Sequence, residues 1–335
     1  MKTNSIKQFL QRPVVSTSLP LIALVIVATI INPNFMTWNN ITSIMRSYVF
    51  IAMLALGMTF VFINRDIDIS VGSVMGLTGV LAGYMMVRDV PVAVSILIAM
   101  VVAVICGLLT GFFIVHFEIP PMIGSLGMQF GLRGVIYILT EGTPIYPLPE
   151  AFTAITKINL GGIPIQMFIY LFLVICAYIL LHKTVYGRWI FAVGGNPDTA
   201  WLCGINVKFV RISAYVLTGF LSGVAGILMT SRVASAQANA GYGYEMYAIA
   251  SVVVGGASPA GGVGTIPGTF IGSILIGILQ NVMVLVGISV YWQYVAIGGI
   301  ILFAVILDQS NKKRALANAA KAKAATESKK EAESK

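Results

Sequence analysis

The chain has 335 residues, of which 58% are hydrophobic and 10% charged, with a formal net charge of +9 and a mean hydropathy of +0.91. Water-soluble domains do not sustain that balance, so the bilayer is the solvent and an all-α, polytopic membrane protein is expected. Cutting the sequence where polar residues cluster predicts ten spans: 17–31, 44–63, 70–87, 91–115, 119–139, 163–182, 210–231, 244–257, 262–286 and 289–307. The division is a cytoplasmic segment 1–16, a transmembrane domain 17–308 with a cytoplasmic loop 183–209, and a basic tail 309–335.

Lys2, Lys7 and Arg12 precede the first span and Lys312, Lys313 and Arg314 follow the last, which puts both termini in the cytoplasm and requires an even number of crossings. Ile31 to Phe35 offers no small-residue cleavage pattern, so the first span is expected to stay as an anchor. The compartment is an inner, or plasma, membrane.

Between the second and third spans lies Asn64-Arg65-Asp66-Ile67-Asp68-Ile69-Ser70-Val71-Gly72. Asp68 or Ser70 suits a helix cap, and Asp66 is expected to pair with Arg65 at the membrane edge. In the fifth span Arg133 is expected to snorkel outward, while Gln129, like Asn281 in the ninth span, faces either a passing hydroxylated solute or another helix. Loop 140–162, with Pro144, Pro147 and Pro149, reads as an ordered cap on the outer side. Gly pairs spaced by four, such as Gly107/Gly111 and Gly127/Gly131, read as close helix contacts.

The most informative stretch is a polar island, Gly194-Gly195-Asn196-Pro197-Asp198-Thr199-Ala200-Trp201-Leu202-Cys203-Gly204-Ile205. Asn196 suits the N-cap, Pro197 the first helical position and Asp198 the positive helix end, with Gly204 as a left-handed stop. Ala200, Trp201 and Leu202 offer apolar surface to water, which marks a docking knob. Lys183, Arg188, Lys208 and Arg211 around it agree with a cytoplasmic loop.

A second glycine-rich re-entrant stretch, Gly255-Gly256-Ala257-Ser258-Pro259-Ala260-Gly261-Gly262-Val263-Gly264-Thr265, reads as pathway lining, because freed backbone groups are tolerated at membrane depth only against protein or water. Val71-Gly72-Ser73 with Gly76 echoes Val263-Gly264-Thr265 with Gly268, a sign of a short repeat. The acidic residues, Glu118 and Glu245 included, fall at span edges or in loops, which disfavours a proton relay. Gly-x-x-x-x-Gly-Lys-Ser/Thr, His-Glu-x-x-His and Gly-x-Ser-x-Gly are absent, so the chain is read as no enzyme and as binding no ATP, metal or other cofactor itself. Cys106, Cys176 and Cys203 lack disulfide or metal-ligand spacing. Five of the nine net positive charges sit in the tail, read as a solvated topology anchor beside membrane lipid and not as a nucleic-acid surface.

Asp66 to Ser73, Gly195 to Asn206 and Glu245 to Thr265, in this order, resemble the permease subunits of bacterial ATP-binding-cassette importers for ribose, xylose, arabinose and autoinducer-2. The resemblance implies that the island is a coupling helix seated in a separate cytoplasmic ATPase, which uses ATP and Mg. It also implies two permeases and two ATPases per complex, and a periplasmic binding protein that delivers the sugar. On it, Gly195, Asn196, Ala200, Trp201, Gly204 and Ile205 belong to coupling, and Asp66, Asp68, Ser70, Gly72, Gly255, Gly256, Gly261 and Gly262 to the pathway. The chain departs from the pattern at Asn64-Arg65, where a Gly-Gly pair is common, and at Trp201, where a smaller or basic residue is expected. Branched-chain amino-acid permeases share the glycine-rich features and stand as the alternative. In a stand-alone facilitator or secondary carrier the island would be only a loop helix, and a membrane enzyme would need a convergent acid-base or metal set, which the sequence does not show.

Overall fold

The computed structural model describes residues 13–303 together with 306 and 310, so Lys2, Lys7, Arg12 and the tail cluster from Lys312 onward lie outside the described residues. The helices in chain order are α1 (Pro13–Ile31), α2 (Trp38–Ile63), α3 (Val71–Met86), α4 (Val92–His116), α5 (Pro121–Thr140), α6 (Ile165–Lys183), α7 (Val185–Gly195), α8 (Pro197–Leu202), α9 (Val207–Val233), α10 (Tyr244–Val254), α11 (Ile266–Leu285) and α12 (Val290–Phe303). A one-turn helix, Glu150–Thr153, and a pair of two-residue strands, Asn159–Leu160 against Ile163–Pro164, order the α5–α6 connection. Six helices, α2, α4, α5, α6, α9 and α11, are long and apolar enough to cross a bilayer. Four shorter apolar helices, within α1 and at α3, α10 and α12, occupy the places of the other four expected spans. Of these, α3 with 16 residues and α10 with 11 fall short of the ~20 residues of a full crossing.

Helix α2 is the core of the bundle, buried without interruption from Tyr48 to Ile63. Helix α9 packs along it and along α4, with Gly57 against Thr218 and Gly107 and Gly111 against Tyr215. Small residues there let backbones approach and trade dispersion contacts that lipid tails do not match. The Gly127/Gly131 pair is the exception: nothing lies within 4 Å of the space a side chain would take, so its expected packing role fails within this chain.

Two helices begin far inside the bundle. Met75 of α3 lies against Gly226 of α9, and Gly79 against Thr230, so α3 and α9 run in the same direction. At a rise of about 1.5 Å per residue, Gly226 stands about 22 Å along α9 from Arg211. Val71, one turn before Met75, therefore starts about 16 Å from the level of Arg211. Helix α10 is 11 residues long, about 16 Å, and lies antiparallel to α11, with Gly255 on Gly268 and the Ser251 carbonyl on Gly272. The chain reaches its start from the far end, where Ala236 bridges to Ile145, by a non-helical stretch, 234–243.

The glycine echo does not survive in this geometry. Thr265 caps α11, its Oγ1 accepting from Gly268 N at 3.1 Å, whereas Ser73 lies inside α3. The two stretches therefore sit out of register relative to their helix starts. Loop 183–209 also holds a helix the sequence pattern did not announce, α7, begun by Thr184 and turning Ile190 and Val193 inward.

Candidate functional site

Helix α8 is capped as its residues dictate. Asn196 is extended (φ −157°, ψ 108°) and its Oδ1 accepts from Thr199 N at 3.0 Å; Pro197 fills the first helical position, where a missing N–H costs nothing. At the other end Gly204 takes φ +82°, and Ile205 N donates to the Ala200 carbonyl at 3.1 Å. Trp201 and Leu202 are 68% and 75% exposed. Ala200 is 3% exposed, which corrects the expectation that it shares the outer face: the helix is a single pair of turns, and its inner side must rest on the bundle. Beside it lies a cavity of about 760 Å³ lined by Glu118, Asp198, Trp201, Lys208 and Arg211.

Two further stretches converge under this helix. Arg65 donates from Nε to the Gly194 carbonyl at 2.7 Å and from Nη2 to the Gly195 carbonyl, so the end of α7 is tied to the turn after α2. Gly262 N donates to the Ile63 carbonyl at 2.9 Å, tying the same turn to the α10–α11 loop. Gly256, Gly261 and Gly262 take the left-handed conformations this crowded loop uses, and Gly255 closes α10 against Gly268. The expected Arg65–Asp66 pair is not formed. Arg65, at φ +68°, reaches under the island, and the buried Asp66 carboxylate accepts instead from Arg211, at 2.7 Å from Nη2 and 3.0 Å from Nε. Burial pushes the Asp66 carboxyl above its ordinary range, and the hydrogen bonds and charge of Arg211 hold that rise back.

The remaining motif residues lie deep. Asp68 Oδ1 accepts from Ser70 N at 2.9 Å and from Ser70 Oγ at 2.6 Å, so Asp68 steers the chain into α3 while the Ser70 hydroxyl, spent as a donor, does not cap it. A side chain on Gly72 would strike the Gly241 carbonyl and Glu245 Oε2, so the starts of α3 and α10 meet backbone to backbone. Gln129 Nε2 donates to Glu245 Oε1 at 2.9 Å. Arg133 donates from Nη1 to the Ala238 and Ala240 carbonyls at 3.1 and 2.9 Å, and is 7% exposed.

Two expectations are corrected here. Arg133 does not snorkel, because the non-helical stretch 234–243 leaves carbonyls unpaired at depth and a guanidinium is the donor that can serve two at once. Glu245 and Asp68 are not at a span edge, because α3 and α10 are partial helices whose first turns lie inside. Each start also presents the positive end of a helix dipole, which favours a carboxylate there. Asn281 is clamped to Asn40 by two hydrogen bonds, 3.0 and 2.9 Å, and borders a separate cavity of about 210 Å³ with Ser43 and Gln280. The structure does not bring it to Gln129. Sequence reasoning missed Arg211 as a partner of Asp66 and Glu245 as a deep group; the Gly-Tyr-Gly before Tyr244 was the signal of an interrupted helix.

Residues 40–305 match the model of the family described as branched-chain amino acid transport system / permease component. The chain belongs to that family. The permease is 38% identical over 292 residues to the ribose import permease protein RbsC of Haemophilus influenzae, covering 86% of this chain and 90% of that protein. It is 32% identical over 345 residues to the xylose transport system permease protein XylH of the same organism, covering 84% and 91%. It is 32% identical over 308 residues to the galactose/methyl galactoside import permease protein MglC of Salmonella typhimurium, covering 86% and 92%. No solved structure matches the permease. Its apolar helices and its family together make it a polytopic membrane protein.

Proposed function

We propose that the permease is the membrane-spanning subunit of an ATP-driven importer that moves a monosaccharide, or a sugar-like solute, across a bacterial inner membrane. Relatives named for ribose, xylose and galactose favour a sugar over the branched-chain amino acids of the family description. In this reading both termini are cytoplasmic, a binding protein delivers the solute from outside, and two permeases pair around the pathway. A separate ATPase holds ATP and Mg and receives α8 in a cleft; this chain does no chemistry.

One observation carries the coupling role: the exposed Trp201 and Leu202 stand on a helix whose base is tied to both interrupted helices. ATP binding that draws the ATPases together presses α8. Arg65 passes the displacement of Gly194 and Gly195 to the turn leading into α3, and Gly262 passes it to the loop after α10. The starts of those two helices face each other at Gly72 and Gly241, so one push, entering directly at α3 and through the length of α10, reaches the place where the chain is interrupted.

The test is crosslinking from Thr199→Cys and Trp201→Cys in membranes of cells that express the whole transport system, together with sugar uptake by Trp201→Ala. Capture of a nucleotide-hydrolysing subunit and loss of uptake with normal membrane insertion are expected. No such capture, with uptake at the parental rate, removes the coupling role.

A further inference from the structure

We propose that a cavity of about 240 Å³ beside Glu245 holds one sugar ring during its passage. The inference rests on the importer reading above and adds the place and the groups that meet the solute. Ile69, Gln129, Phe130, Arg133, Tyr242 and Glu245 border the cavity. It lies at the level where α3 and α10 begin, about 16 Å along α9 from Arg211. Its volume equals that of about eight waters, the scale of a single pyranose or furanose.

The polar groups around it are unfinished. Glu245, 4% exposed, accepts from Gln129 on Oε1, while its Oε2 is buried without a hydrogen-bond partner. Gln129 Oε1 and the Nε and Nη2 of Arg133 are likewise buried and unpaired. Buried polar atoms are nearly always satisfied, so four unsatisfied atoms on three neighbouring residues point to a guest. The set holds two acceptors and two donor nitrogens, which matches hydroxyl groups, each able to donate and accept. The ring of Tyr242 lies 5.7 Å from the Arg133 guanidinium, and Phe130 adds a second aromatic face at the rim, suited to the C–H side of a sugar ring. A second hollow of about 400 Å³, bordered by Tyr137, Gln237 and Asn239, adjoins the Ala238–Ala240 backbone that Arg133 pins.

The experiment places a single cysteine at Leu126 or at Met246, both on the cavity wall, in the chain with Cys106, Cys176 and Cys203 replaced by Ser. Vesicles holding the complete transport system are treated with a membrane-impermeant methanethiosulfonate in the presence of D-ribose, D-xylose, D-galactose or L-leucine. Lys157→Cys, outside the cavity, controls for general changes in reactivity. At least one sugar is expected to slow labelling at both wall positions by about fivefold or more when saturating, with no effect at 157 and none from leucine. Glu245→Gln and Arg133→Lys, each added to the same chain, are expected to abolish that protection while the wall cysteines still react.

Vesicles that take up sugar with ATP yet show wall cysteines inert to the reagent, or labelling that no sugar slows, overturn the cavity as a solute station. So does protection that persists in both substituted chains. Protection by leucine alone, or failure of the parental chain to support uptake of any sugar, overturns the importer reading itself.

Discussion

Beneath α8, Gly194 packs on the Ile63 carbonyl, to which Gly262 N donates, and two long side chains are added to that backbone contact: Arg65 reaches two carbonyls and Arg211 grips Asp66. Some 16 Å further in, by the rise of α9, the decisive contact is between backbones, Gly72 on Gly241, with Glu245, Gln129 and Arg133 around it. Long side chains pivot and re-form their bonds after a shift, whereas touching backbones have no slack. Both junctions thus have a rigid backbone contact, and the first adds two charged side chains exposed enough to re-form their bonds after a shift.

Substitutions at four positions sharpen this contrast, in falling order of expected effect on the fold. Arg211→Ala leaves the Asp66 carboxylate buried without its charged partner. Breaking buried pairs costs about 3–5 kcal/mol, and because the Arg211 side chain is 25% exposed the lower end is expected, read as a lowered Tm in detergent. Arg211→Lys, which keeps the charge and loses the fork, should fall between Arg211→Ala and the parent.

Gly72→Ala comes next: one methyl group set against a carbonyl and a carboxylate should cost about 1–3 kcal/mol and shift the start of α3. Uptake should fall with it. If this variant melts and transports like the parent, the deep junction is not rigid.

Asn196→Ala removes the cap of α8 and should cost about 1 kcal/mol locally, seen as roughly fivefold faster hydrogen exchange at the Thr199 amide, with the bundle's Tm unchanged. Trp201→Ala touches nothing the fold needs and should change stability by less than about 0.5 kcal/mol. Its effect belongs to assembly, where losing an exposed Trp anchor should weaken the ATPase complex by about 2 kcal/mol or more, measured by co-purification. A Trp201→Ala chain that assembles normally but melts early would reverse the roles assigned to the two regions.

The sequence alone determined what depends on local chemistry: an apolar chain cut into spans by its polar clusters, and the capped helix Asn196–Gly204, whose Asn, Pro and Gly each act within one turn. Caps and stops are short-range, so a few residues suffice to write them. What only the tertiary structure decided is which buried charges meet. Asp66 chose Arg211 over its neighbour Arg65, Arg133 turned inward to the Ala238 and Ala240 carbonyls, and Glu245 settled at the start of a partial helix instead of at a membrane edge. Those outcomes follow from pairing every polar group across elements far apart in the chain. A hydropathy pattern records how apolar a segment is, and not how deep its first turn begins.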